Sequence, residues 1–249
     1  MGATALEFRL RMLINAAIVI LGFWAPWIEG WKIGQRIPLL EWLALHLARH
    51  GLLPFTLAAP ILILAGAVVA ALAVLLRISG SAYLGPGAVV HPEMRADGIV
   101  ASGPYRFVRN PLYLGLWLMV AAMALMMPPT GALLAMLFIT IFLFRLTLGE
   151  ERLLAAQLGD PYRTYQFAVP RFMPRLRTSL AATGTKPHWL RAIASELMPI
   201  GVFITIAFLS WTYDRTLMLK AIVVSFGASL VVRALMPATP AESADAIRS

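Results

Sequence analysis

Cysteine is absent from the 249 residues, and charged residues are scarce. The lack of cysteine excludes disulfides, thiolate nucleophiles and cysteine-ligated metal sites. Charged residues make up 13% of the chain, whereas a soluble domain carries roughly 25%. Hydrophobic residues make up 60% and the mean hydropathy is +0.78. This balance leaves no room for a large water-soluble domain and predicts an integral membrane protein.

Histidine is also rare, with four residues in the chain. His46 and His50 are four positions apart and could share one face of a helix, but a solvated face is the favoured interpretation over a ligand pair. No metal site is therefore predicted. The sequence also contains no serine-hydrolase motif, no Walker loop and no Rossmann glycine pattern.

Long apolar segments predict an all-α, polytopic membrane protein with about six transmembrane helices. The predicted spans are residues 12–27, 52–76, 112–127, 132–158, 193–211 and 217–235. The four residues 128–131, Pro-Pro-Thr-Gly, predict a tight helical hairpin between the third and fourth spans. Residues 37–50 predict an amphipathic helix on the membrane surface, because Glu41, His46, Arg49 and His50 stand there among Leu and Trp and make the segment too polar to span.

Basic residues are distributed unevenly between the two sides that six spans would create. Of the 21 Lys and Arg residues, 16 fall on the side that carries both termini and the two polar loops. The positive-inside rule places that side in the cytoplasm. The net charge of +9 is thereby explained by topology, and no nucleic-acid partner is expected. No cleavable signal peptide is expected either.

The chain divides into three predicted parts. Residues 1–77 hold the first two spans and the amphipathic helix, residues 78–189 hold most of the unusual polar residues, and residues 190–249 add two spans and a tail.

A polar, cationic stretch, residues 103–115, lies between two apolar segments. Asn110 is predicted as the N-cap of the third span and Pro111 as its first helical residue, where no N–H is needed. A helix N-terminus flanked by Arg106 and Arg109 can bind an anion. A basic topogenic loop followed by an ordinary helix cap explains the same residues equally well.

Glu150 and Glu151 are adjacent near the end of the fourth span. Neither has a Lys or Arg three or four residues away, so no ion pair within their own helix is available. Carboxylates near a bilayer need partners, and Arg106, Arg109 or a cationic ligand are the candidates. The alternative is that both side chains point into water.

Several separate motifs together resemble one family over roughly residues 80–175. They are Gly98, the run Gly103-Pro104-Tyr105-Arg106-Phe107-Val108-Arg109-Asn110-Pro111-Leu112-Tyr113-Leu114-Gly115, the pair Glu150-Glu151, Leu158-Gly159-Asp160-Pro161-Tyr162-Arg163-Thr164-Tyr165, and Val169-Pro170-Arg171-Phe172-Met173-Pro174. They resemble the integral-membrane methyltransferases, namely the isoprenylcysteine carboxyl methyltransferases and the related phospholipid N-methyltransferases. The Arg-His-Pro of that family is Arg-Asn-Pro here, so a charged role at Asn110 is not expected.

The resemblance implies that S-adenosylmethionine binds at the cytoplasmic side, is released as S-adenosylhomocysteine, and methylates a lipophilic acceptor from the bilayer. The cofactor-binding residues it implies are Gly98, Tyr105, Arg109, Asn110, Pro111, Tyr113, Gly115, Glu150 and Glu151. The catalytic candidates are Arg106, Glu150 and Arg171. The candidates for substrate contact are Arg145, Tyr162, Tyr165 and Arg171. Membrane lipids and a lipophilic or lipid substrate are the expected partners.

The acceptor stays open at this point, because an arginine could hold a carboxylate acceptor and a glutamate could deprotonate an amine. Two other functions also stay open. One is a membrane reductase of the sterol-reductase type with a nicotinamide cofactor, and the other is a lipid-binding or assembly protein without catalysis. The oligomeric state and the role of the last two spans are likewise open.

Overall fold

The computed structural model describes residues 2–24, 37–84, 101–175, 177, 180–181, 184–212 and 215–235. Across these ranges the chain forms ten α-helices and one short 3-10 helix, Gly103–Arg106, and no strand. The α-helices are α1 (Ala5–Arg9), α2 (Arg11–Phe23), α3 (Leu39–Arg49), α4 (Phe55–Leu84), α5 (Pro111–Ala124), α6 (Pro129–Leu158), α7 (Asp160–Ala168), α8 (Trp189–Ser195), α9 (Leu197–Thr212) and α10 (Arg215–Leu235). The predicted all-α class is confirmed for these ranges.

Two helices, α4 and α6, are long and apolar enough to cross a membrane. Each has 30 residues and is about 45 Å long, which exceeds the roughly 30 Å hydrocarbon core of a bilayer. The pair α8 and α9 makes a third candidate if it is taken as one broken span. The apolar helices α2 and α5 are shorter, with 13 and 14 residues. The count of six spans stays a prediction.

The end predicted for the second span, residue 76, is wrong, because α4 continues past Arg77 to Leu84. The polar side chains in this last part of α4 have hydrogen-bond partners, so the helix can continue through them. The Ser79 hydroxyl donates to the carbonyl of Leu75 at 2.6 Å, and Arg77 is paired with Glu196. α4 thus runs across the expected boundary between residues 77 and 78.

The predicted fifth span is not one continuous helix. α8 ends at Ser195 and α9 begins at Leu197, with a bend of 69° between them. Pro199 explains the break, because its ring has no N–H and would clash with the carbonyl four residues earlier, that of Ser195. Glu196 occupies the corner, and the interruption in the helix places its side chain against α4.

The hydrophobic core lies between α4, α5 and α6 and also takes in side chains of α2 and α9. Ala70, Val120 and Ile139 are fully buried in it. α5 ends at Ala124, α6 begins at Pro129, and the two helices pack against each other. The connection is residues 125–128, whereas the turn was predicted at residues 128–131, because Pro129 already begins α6. The tight transmembrane hairpin stays a prediction.

α3 marks the end of α5 that lies away from Pro111. The backbone N–H groups of Leu39 and Leu40 donate to the carbonyls of Met127 and Leu125, at 2.7 and 2.9 Å. These contacts satisfy donors that the first turn of α3 leaves free. The predicted helix within residues 37–50 is confirmed, while its place on a membrane surface stays a prediction.

Candidate active site

The 3-10 turn Gly103–Arg106 is held against the end of α4 by a contact that only glycine permits. Gly103 has a φ of +54°, and a Cβ atom on it would lie 2.3 Å from the ring of Tyr83. From the other side, the hydroxyl of Tyr165 in α7 donates to the carbonyl of Tyr105 at 2.7 Å. The turn is therefore clamped between α4 and α7.

Backbone hydrogen bonds join two segments that are far apart in the sequence. The N–H of Arg109 donates to the carbonyl of Pro170 at 2.9 Å, and the N–H of Arg175 donates to the carbonyl of Phe107 at 3.0 Å. These two backbone hydrogen bonds fix the two segments relative to each other. They bring the segment after α7 beside the start of α5, together with the arginines that each segment carries.

Glu151 lies at the centre of this arrangement and is buried. Arg171 donates from Nε and Nη2 to Glu151 Oε2, at 3.0 and 2.7 Å. Arg109 places Nη1 3.3 Å from Glu151 Oε1, and the Asn110 amide donates to the same oxygen at 3.4 Å. We call these four residues the Glu151 cluster. Two guanidinium groups and one carboxylate give it a net charge of +1.

Of the partners predicted for the two glutamates, Arg109 is confirmed for Glu151, and the interpretation that Glu151 points into water is wrong. Arg106 is not a partner in the structure, since its Nε donates to the carbonyl of Leu180 at 2.9 Å. The second cation beside Glu151 is instead Arg171. Its hydrogen bonds to that carboxylate raise the pKa of Arg171, so it stays cationic.

Asn110 occupies the N-cap position of α5 as predicted, but its side chain does not cap the helix. A cap would need the Asn110 Oδ1 oxygen to accept from a backbone N–H. Its amide nitrogen instead donates to Glu151 Oε1 and to the carbonyl of Arg171, the latter at 3.3 Å, and these bonds fix the orientation of the side chain. Pro111 is the first helical residue, as predicted. The N–H groups of the first turn are thus left without a side-chain cap.

Glu150 has a different environment from its neighbour. Its carboxylate accepts a hydrogen bond from the Tyr113 hydroxyl at 2.5 Å, which joins α6 to the first turn of α5. Adjacent helical residues point about 100° apart, so Glu150 and Glu151 contact different parts of the same helix start.

Within the described ranges, the buried side-chain atoms that have no hydrogen-bond partner include Arg109 Nε and Thr147 Oγ1. Thr147 was not predicted from the sequence. It lies one turn before Glu151 on the same face of α6, and a threonine in mid-helix commonly bonds the carbonyl four residues back. Its position four residues before Glu151 is the sequence signal that could have identified Thr147 as a residue on the same helix face as this glutamate.

The other predicted site residues have contacts of their own. Arg145 donates to both carboxylate oxygens of Glu7 at 2.9 Å. Tyr162 and Tyr165 are buried in a small second core with Ala101 and Val169, and burial raises the pKa of Tyr162 to about 12, so it stays protonated. Their roles toward a substrate stay predictions.

Gly115 lies where α5 packs closely against α4. A Cβ atom on it would come within 2.6 Å of Arg77 Cγ and 3.0 Å of the carbonyl oxygen of Ala73. Packing therefore gives a reason for this glycine, and its role in cofactor binding stays a prediction. Gly98 lies outside the described residues.

The long apolar helices α4 and α6 are those of an α-helical membrane protein. The Glu151 cluster adds a cationic site at the start of α5. Residues 61–160 match the family described as phospholipid methyltransferase, which confirms the resemblance to membrane methyltransferases. The matched segment runs from Ile61 in α4 to Asp160 and contains Arg109, Glu150 and Glu151, whereas Arg171 follows it. Over this segment the chain is similar to the membrane phospholipid methyltransferases. No curated protein and no solved structure matches the chain significantly.

Proposed function

We propose that the protein is an S-adenosylmethionine-dependent methyltransferase whose acceptor is a lipophilic molecule carried by the membrane. The observation that carries the proposal is the Glu151 cluster. Within the segment of the family match, Arg109, Asn110 and Glu151 meet at the uncapped start of α5. A site of this kind can bind the anionic group of a polar ligand.

The carboxylate of the methyl donor fits this cluster best. The cluster carries one positive charge in excess, and the Nε donor of Arg109 is buried with no partner in the described part of the chain. Backbone N–H groups at a helix N-terminus favour the same negative charge. Charge-assisted hydrogen bonds from a guanidinium to a carboxylate are stronger than neutral ones.

Glu150 suits the positively charged end or the ribose of the donor. Glu151 is already engaged by Arg109, Arg171 and Asn110, so its task is to orient those three side chains. Glu150 presents a carboxylate that the Tyr113 hydroxyl holds in place. The Tyr113 ring lies in the first turn of α5, where an aromatic face would attract a sulfonium cation.

S-adenosylmethionine supplies an electrophilic methyl group, which an acceptor takes by in-line displacement. The protein residues contribute by orienting the two reactants and by excluding water from the acceptor. For an isoprenylcysteine-like carboxylate acceptor, Arg106 or Arg171 would hold the nucleophile. For a lipid amine, Glu150 would remove the proton.

Binding of S-adenosylhomocysteine to the purified protein in detergent tests the proposal by calorimetric titration. We expect saturable binding that Glu150→Gln and Glu151→Gln each weaken. Arg109→Lys keeps the charge but loses the planar fork of donors, so we expect about tenfold weaker binding from it, equal to roughly 1.4 kcal/mol. His46→Ala, on α3 at the other end of α5, serves as the control and should bind as the wild type does.

Three outcomes separate the proposal from its rivals. Absence of binding at millimolar S-adenosylhomocysteine contradicts the proposal. Stabilisation by NADPH instead would favour the reductase, and binding of lipid alone would favour a non-catalytic protein. A screen of lipid acceptors with a labelled methyl donor then identifies the acceptor.

A further inference from the structure

Glu196 is a fully buried carboxylate at the corner between α8 and α9. It accepts hydrogen bonds from Arg77 Nε at 2.6 Å, Arg77 Nη2 at 3.1 Å and the Ser81 hydroxyl at 2.6 Å. All three donors belong to α4. We call Glu196, Arg77 and Ser81 the Glu196 cluster, and its ionised pair has no net charge.

Arg77 also reaches the start of α5. Its third nitrogen, Nη1, donates to the carbonyl of Leu112 at 3.3 Å, and Leu112 is the second residue of α5. One guanidinium therefore connects the corner of the C-terminal helices to the turn that begins at Pro111. Arg109 and Asn110 of the Glu151 cluster immediately precede that turn.

The packing around Arg77 leaves this connection little freedom. Gly115 leaves room for the arginine stem, because a Cβ atom there would lie 2.6 Å from Arg77 Cγ. Gly80 in α4 similarly makes room for Leu112, since its Cβ atom would lie 2.9 Å from Leu112 Cδ2. The first turn of α5 is thus seated on α4 with Arg77 spanning the contact.

Stability alone does not explain an ion pair in this place. Replacing a buried ion pair by apolar residues of similar volume is often neutral or stabilising, and ionisable residues at membrane depth usually serve a function. Glu196 also lies beyond residues 61–160, the segment of the family match. Its partner Arg77 lies inside that segment, so the contact joins the matched core to the C-terminal helices.

We propose that Glu196 is a positioning residue of the methyl-donor site and that α8 and α9 complete this site. Glu196 orients Arg77, Arg77 holds the Leu112 carbonyl, and the start of α5 is thereby kept where Arg109 and Asn110 meet Glu151. The inference rests on the proposed function for its binding readout. It gives the C-terminal helices a role that the matched segment alone does not supply.

Glu196→Gln tests the proposal, with Thr205→Val as the matched control. Thr205 is a buried polar residue on α9 whose hydroxyl donates within its own helix, to the Gly201 carbonyl at 2.7 Å. We expect Glu196→Gln to bind S-adenosylhomocysteine about tenfold more weakly, as befits the loss of one hydrogen bond to a charged group. Amide hydrogen exchange at residues 112–115 should be faster in this variant and unchanged in Thr205→Val.

Arg77→Lys separates positioning from charge compensation and also serves if Glu196→Gln does not fold. Lysine keeps a positive charge beside Glu196 but lacks the fork that reaches two partners at once. We expect near-normal thermal stability with weaker binding and faster exchange at residues 112–115. A role limited to neutralising charge would leave binding and exchange at wild-type values.

The inference is overturned if a folded Glu196→Gln or Arg77→Lys variant matches the wild type in both binding and exchange. Failure of the wild type to bind S-adenosylhomocysteine would contradict the proposed function instead. The exchange comparison does not depend on that ligand, so unchanged exchange at residues 112–115 would still contradict the positioning role.

Discussion

The Glu151 cluster and the Glu196 cluster each connect a buried carboxylate to the start of α5. Glu196 is paired with one arginine, accepts three hydrogen bonds and has no net charge in its cluster. Glu151 is shared by two arginines, and Arg109 Nε keeps no partner in the described part of the chain. The Glu196 cluster is neutral and its carboxylate is fully hydrogen-bonded, whereas the Glu151 cluster is cationic and keeps one donor without a partner.

This difference in charge balance separates a positioning contact from a binding site. A buried polar group without a partner costs free energy, and a ligand that supplies the partner recovers that cost on binding. A ligand would recover no such free energy at the Glu196 cluster, because its carboxylate already accepts three hydrogen bonds. The excess charge and the free donor of the Glu151 cluster are what an anionic group would use.

The largest expected effect is the loss of stability on removing Glu196. We expect Glu196→Ala to lower the free energy of unfolding by about 3–5 kcal/mol, since it leaves the charge of Arg77 buried and unpaired. Glu151→Ala should have a comparable cost, because Arg109 is 11% exposed and would keep an unpaired charge, whereas Arg171 is 33% exposed and can turn to water. Unfolding in mixed micelles measures both values.

The double variant Arg77→Met/Glu196→Met is the control for this prediction. It removes both charges and should recover much of the stability that Glu196→Ala loses. A double variant no more stable than Glu196→Ala would contradict the assignment of the loss to the unpaired charge of Arg77.

An intermediate effect is expected from Gly115→Ala. The new methyl group would press on Arg77 and on the Ala73 carbonyl, with contacts of 2.6 and 3.0 Å, and overpacking of this kind costs about 1–3 kcal/mol. Thermal unfolding with and without S-adenosylhomocysteine measures the loss. We expect weaker ligand stabilisation as well, because Arg77 is displaced from Leu112.

Gly227→Ala is the matched control, since nothing lies within 4 Å of a Cβ atom at that position in α10. It should be neutral or slightly stabilising, because alanine favours a helix over glycine. A Gly115→Ala variant as stable as this control would show that the contact between α4 and α5 tolerates a side chain.

The smallest effect is expected at the partly exposed pair of Glu7 and Arg145, which offers a reference for the two buried clusters. The hydrogen bond from Arg145 lowers the pKa of Glu7 below its ordinary value of 4.5. A carboxyl with a lowered pKa stabilises the fold above its unfolded pKa, and that contribution is lost as the pH falls through the folded pKa. Acid should therefore weaken this pair.

Thermal midpoints of wild type and Glu7→Gln, measured from about pH 6 to pH 3, check this prediction. The wild type should lose its small advantage over the variant as the solution becomes acidic. A constant difference across the whole range would exclude the ionised pair as its source.

Local features of the chain were predictable where the deciding residues are close in sequence. Pro111 begins α5, Gly159 ends α6 with a φ of +62°, and α7 starts at Asp160. The break at Glu196 was missed although Pro199 signalled it, because the apolar run around it suggested one uninterrupted span. The absence of helical ion-pair partners correctly indicated that Glu151 needs a distant one.

The sequence by itself determined the all-helical class, the apolar helices and most helix ends, because hydrophobic periodicity and capping depend on residues within one or two turns. Only the tertiary structure decided which cation meets which carboxylate. Arg171 and Glu151 are 20 residues apart, and Arg77 and Glu196 are 119 apart. At such separations the pairing depends on how α4, α5, α6 and the C-terminal helices pack, which no local pattern encodes.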